Sequence, residues 1–124
     1  MSTQTLYKNY IAAADIAAYR IVKFAAEGSV TAAAAATDAL VGITAELPVA
    51  AGERCDVARA GMACVEAGAA FAVGALLTAD AQGRAVTAAP AAGANARVIG
   101  MADEAASAAG DVVWLLLTPS SVQG

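Results

Sequence analysis

The sequence predicts an all-β domain, a small β-barrel or β-sandwich. Two observations carry this reading against a third. Eleven glycines fall at positions 28, 42, 52, 61, 68, 74, 83, 93, 100, 110 and 124, so turn signals recur at the spacing of short strands. The runs between them are rich in β-branched and large apolar residues. Against this stands alanine, 38 of 124 residues, which is the strongest helix former. The stretches "TAAAAATDAL" and "MADEAASAAG" look helical in isolation, but the glycine gaps leave little room for long helices.

Taken in order, the polar, aromatic start "STQTLYKNY" looks too hydrophilic and too short to form a strand pair unaided. Residues 1–18 are therefore expected as an extended N-terminal arm, ordering on a partner or adding a strand to an exposed sheet edge. Tyr7, Tyr10 and Ile11 supply its anchoring area and Lys8 a charge contact. The β domain is expected over 19–118, with a tail at 119–124. Within it, "YRIVKFA" (19–25) and "LVGITAEL" (40–47) read as strands. "ERCDVARAGMACVEAG" (53–68) reads as two strands meeting near Ala60 and Gly61. "ARVIGMA" (96–102) and "DVVWLLLT" (111–118) are the most apolar runs, the second bounded by Gly110 and Pro119. Residues 101–109 are the one stretch expected to allow a helical turn.

"LLTADAQGRAVTAA" (76–89) holds an acid, an amide and a base close together. A hairpin accounts for all three. Asp80 opens a type I turn and Gly83 closes it, where positive φ is cheap. The Asp80 carboxylate accepts a backbone N–H two residues on, and Gln82 and Arg84 are solvated tip residues.

Composition narrows the function. Formal charge is −4 and the seven basic residues are scattered, so neither nucleic acid nor an anionic membrane is an expected partner. The longest uncharged stretches, 67–79 and 112–124, fall short of the ~20 residues of a spanning helix. The start has no basic region ahead of an apolar segment, so no signal peptide is expected. An alanine methyl contributes roughly 0.8 kcal/mol on burial against about 1.5–3 for a large apolar side chain. With six aromatics in the chain, the core is thin, and support from partner subunits is expected.

The sequence carries no signature of catalytic chemistry. There is no histidine, which removes the Ser-His-Asp and Cys-His arrangements and the commonest metal ligand. No phosphate loop, dinucleotide loop or calcium loop is present, and no cofactor or metal is expected. The close acid pairs, Glu53 with Asp56 and Asp103 with Glu104, read as solvated loop acids, because strand neighbours point to opposite faces. Cys55 and Cys64 pair across a two-residue turn at Arg59-Ala60 and separate if the loop ends in Gly61. In a cytoplasm both stay reduced, and two thiols alone do not make a structural zinc site.

Three stretches carry a family resemblance. They are the "VGIT" strand followed by "AAGERCDVARAGMACVEAG", the hairpin "VGALLTADAQGRAV", and the closing "ARVIGMADEAASAAGDVVWLLL". In this order, over about two thirds of the chain, they resemble the capsid cement, or head decoration, proteins of tailed bacteriophages. The resemblance implies a β-tulip-like barrel without enzymatic activity. It implies binding to the outside of the expanded head, usually as homotrimers on local three-fold positions. There the major capsid protein is the partner, and neighbouring subunits are clamped against internal DNA pressure. Such a protein is made in the host cytoplasm and ends on the capsid exterior. Residues 1–29 match the family less well. A second reading is a particle-displayed adhesive or ligand-binding β module for a host surface or glycan, whose mark is exposed aromatics beside a groove.

Overall fold

The structure is a computed structural model that describes residues 4–124. Its regular elements are nine strands: β1 (Thr5–Ala12), β2 (Ile21–Ala26), β3 (Ser29–Ala32), β4 (Leu40–Thr44), β5 (Arg54–Glu66), β6 (Leu76–Ala79), β7 (Ala85–Thr87), β8 (Asn95–Ala102) and β9 (Val112–Gln123). The fold is all-β, and the helical turn allowed at 101–109 does not form. Met101 and Ala102 instead end β8, and Ala106 bridges Phe71.

Strand β5 joins two halves. Its first part pairs with β1 over Arg54–Gly61 and with β4 through Val57 and Ala58. The order β1-β3-β2-β4-β5, with β1 also on β5, closes a five-stranded barrel. The last part of β5, Met62 to Glu66, pairs with β9, and the sheet continues β9-β8-β6-β7. Just past β5, Ala67 bridges Ala85 of β7, so the second sheet curls back toward its first strand.

The expected break at Ala60-Gly61 is instead part of one continuous strand, with a bulge just before it: Leu6 pairs with Ala60 and Tyr7 with Ala58, which leaves Arg59 over. Gly61 holds φ at 86°, a region L side chains rarely adopt. A Cβ there would run into the Gln4 carbonyl oxygen. The residue type that signals a turn serves here to bend β5 from one sheet into the next. Cys55 and Cys64 consequently lie nine residues apart along one strand. At about 3.3 Å per residue that is far beyond the ~7 Å limit for a disulfide, and both thiols are free.

The expected arm is also placed differently: Thr5–Ala12 is a strand of the chain's own barrel, antiparallel to β5 and parallel to β3. Its partly polar sequence is compatible with this because only Tyr10 and Ala12 of β1 are buried. Residues 119–124, expected as a tail, largely continue β9 to Gln123. Leu117 pairs with Gly100 and Ser120 with Val98, so Thr118 and Pro119 sit at an irregular step where a missing N–H is tolerated.

Two apolar clusters fill the molecule. Tyr10, Ile16, Val22, Val30, Val41 and Val57 are among the side chains of the smaller one. The larger joins Ile21 and Ile43 to second-sheet residues such as Val65, Leu77, Ile99 and Leu115. Many of its members are alanines, as a thin core requires.

Candidate functional site

Strand β9 alternates strictly over its first six residues. Val113, Leu115 and Leu117 are buried, and Val112, Trp114 and Leu116 face out. Apolar residues on both faces of a strand mean that one face is covered by the core and the other awaits cover. Register extends the outer face sideways. Leu116 pairs with Met62 on β5 and with Met101 on β8, and Met101 pairs with Leu76 on β6. The row Met62–Leu116–Met101–Leu76 thus crosses four strands at about 4.8 Å per step. Leu76, Met101 and Leu116 are each about two-fifths exposed. Cys64 and Trp114 form the next pair along.

The β1 residues divide by face. Tyr10 is enclosed, 3% exposed. Its hydroxyl accepts from Arg59 Nη1, and its ring meets Phe24 edge-on with centroids 6.0 Å apart. The Lys8 ammonium stands 5.2 Å from the Tyr10 ring centroid, a cation–π arrangement. Tyr7 and Ile11 are exposed. On the same outer surface Arg54 Nη1 donates to Asn9 Oδ1 at 2.7 Å and Asn9 Nδ2 to Asp56 Oδ1 at 2.9 Å. Tyr10 thus builds the barrel, and Tyr7, Lys8 and Ile11 are left at the surface.

At the β6–β7 hairpin, Gly83 N–H donates to the Asp80 carbonyl at 3.2 Å, with φ of 74° at Gly83. Asp80 Oδ1 accepts from the N–H groups of Gln82 and Arg84. Arg84 is not a free tip residue: its Nε lies 3.1 Å from Asp80 Oδ2. The tip is also tied to the barrel, since Ile21 N–H donates to the Gly83 carbonyl at 2.7 Å. The acid and base of this stretch hold each other and the turn.

Burial raises the thiol pKa of Cys55, helped by the neighbouring Asp56 charge. Burial and then Glu104 do the same for Cys64. Both stay protonated and poorly nucleophilic at neutral pH. Among the described residues no group of three or more His, Cys, Asp or Glu could hold a metal ion.

The profile of the phage cement protein family matches residues 2–117. The chain belongs to the phage cement proteins. Its place is with the structural proteins of the phage virion. Among solved structures it is similar to the N base of the head fibre gp8.5 of bacteriophage phi29. The two share 24% identity and a TM-score of 0.68 over 98% of this chain and 100% of that one. At that identity the likeness concerns the fold. No curated protein matches. The outward apolar row is the feature that sequence reading missed. Its signal was present in the unbroken "VVWLLL", where a strand facing solvent on one side would alternate.

Proposed function

We propose that this protein binds the outer surface of the expanded phage head and cements neighbouring major capsid subunits, as a homotrimer on local three-fold positions. Membership of the cement family carries the reading, and the uncovered row Met62–Leu116–Met101–Leu76 supports it. A protein whose thin core leaves large side chains outside gains stability when another surface covers them. The row serves as the contact between copies, in keeping with the enrichment of Met at interface cores. Lys8 and Ile11, both exposed on β1, meet the capsid.

Electron cryomicroscopy of expanded heads with and without the protein tests this. The expected difference density is a trimer on the outside of the shell at three-fold positions, with the second sheets of the three copies facing one another. Density on the inner surface, or none with a folded protein in excess, contradicts it.

A further inference from the structure

A cleft of about 350 Å³ opens beside β5, and Tyr7, Tyr19 and Trp114 all line it. Half of the six aromatic residues of the chain thus meet at one place, from β1, from the loop before β2 and from β9. Glu46 lies at the same cleft, and Ala58 and Ala63 give it small-residue walls. Tyr7 is 51% exposed and Trp114 37%, so both present ring surface that the core does not use.

Tyr19 adds a second, independent observation. It is the one non-glycine residue with positive φ among the described residues, at 57°. A bulky residue there is an outlier that persists only where its surroundings hold it. Here the Tyr19 N–H donates to the Ala45 carbonyl at 3.1 Å, and its carbonyl accepts from Glu66 N–H at 3.0 Å. The strained backbone is clamped between the end of β4 and the end of β5, which fixes where the Tyr19 side chain leaves the main chain.

The chemistry of the lining selects the ligand. Aromatic faces attract apolar C–H faces, and tyrosine hydroxyls, the indole N–H and a carboxylate serve hydroxyl groups. No lysine or arginine lines the cleft and Glu46 is its only charged side chain, which disfavours phosphates and other anions. The volume lies at the small end of ligand sites, wide for a single alkylammonium group and suited to one or two sugar rings. We infer that this cleft is a saccharide-binding site for an uncharged mono- or disaccharide unit, with Tyr7, Tyr19 and Trp114 as stacking platforms and Glu46 as hydroxyl acceptor. Trp114 lies one pair along from the row that joins copies, so the site is open on the isolated chain, and on the particle wherever that contact leaves Trp114 uncovered.

The test uses the isolated full chain. Trp114 is the only tryptophan, so its emission reports on the cleft directly. Soluble di- and trisaccharides of glucose, galactose, mannose and N-acetylglucosamine are titrated in turn, with choline as a cationic control. At least one saccharide is expected to shift the emission saturably. Tyr7→Ala and Glu46→Gln, both at exposed positions, are each expected to weaken that binding about tenfold or more, as loss of an interface anchor does, with unchanged melting temperature. No saturable shift with any saccharide overturns the inference. A response to choline alone also overturns it, in favour of an ammonium cage. Saccharide binding that survives both substitutions places the site elsewhere and overturns it too.

Discussion

Met101 on β8 stands directly opposite Leu116 on β9, and both are left in the open, 41% and 38% exposed. Cross-strand pairs of large apolar residues stabilise a sheet by about 0.2–1 kcal/mol. That gain does not account for a whole row of them on the solvent side. Cover by a second protein surface does. Leu116→Asp is therefore expected to leave the monomer folded, with a melting temperature within a few degrees of the parent. It is expected to reduce self-association and head occupancy at least tenfold, the scale of losing one interface anchor. Sedimentation velocity and a thermal melt check both halves. A variant that associates as well as the parent would remove the row from the interface.

Tyr10 closes the barrel from the inside, and its removal is expected to act on stability. Tyr10→Ala should cost about 3–5 kcal/mol, the range for truncating a buried aromatic. Tyr10→Phe should cost about 1–3, because it leaves the Arg59 guanidinium one acceptor short. Chemical denaturation measures both. If instead Tyr10→Ala keeps full stability and loses only head binding, β1 acts as a detachable arm.

Gly61 lets β5 belong to both sheets. Gly61→Ala places a Cβ at positive φ and against the Gln4 carbonyl. A loss of at least ~1 kcal/mol is expected, measured by denaturant midpoint. A neutral substitution would mean that the bend does not need glycine.

Acid should destabilise the protein below about pH 4. Burial alone would raise the Asp38 pKa. The N–H groups of Ala34 and Ala35, at 2.8 and 3.0 Å, and the nearby Lys23 more than reverse this and lower it. The Ser107 hydroxyl and N–H lower that of Asp111. A folded pKa below the unfolded value of about 3.9 contributes stability that is present above that value and lost as pH falls through the folded one. With no histidine, melting temperature is expected to stay flat between about pH 5 and 8. Asp38→Ala and Asp111→Ala should shrink the acid-side loss. A melting temperature that begins to fall above pH 6 would contradict this account.

Much of the fold was legible because its strands obey local rules. The runs at 19–25, 40–47, 96–102 and 111–118 announce β2, β4, β8 and β9 by β-branched content between glycines. What stayed hidden depends on distant partners. β1 looks polar because only two of its side chains point inward, and Gly61 looks like a turn because the Gln4 carbonyl that excludes a Cβ comes from far along the chain. The β3 strand is four residues with valine as its one large apolar side chain. Tyr7, Tyr19 and Trp114 share a cleft across most of the sequence, with no linear pattern to join them.

Co-sedimentation with expanded heads that lack the protein, over a concentration series, measures capsid binding itself. The account predicts saturation at three copies per three-fold position of the shell, with much weaker binding to unexpanded heads. A folded protein that fails to sediment with expanded heads, or that binds without saturating, would contradict it.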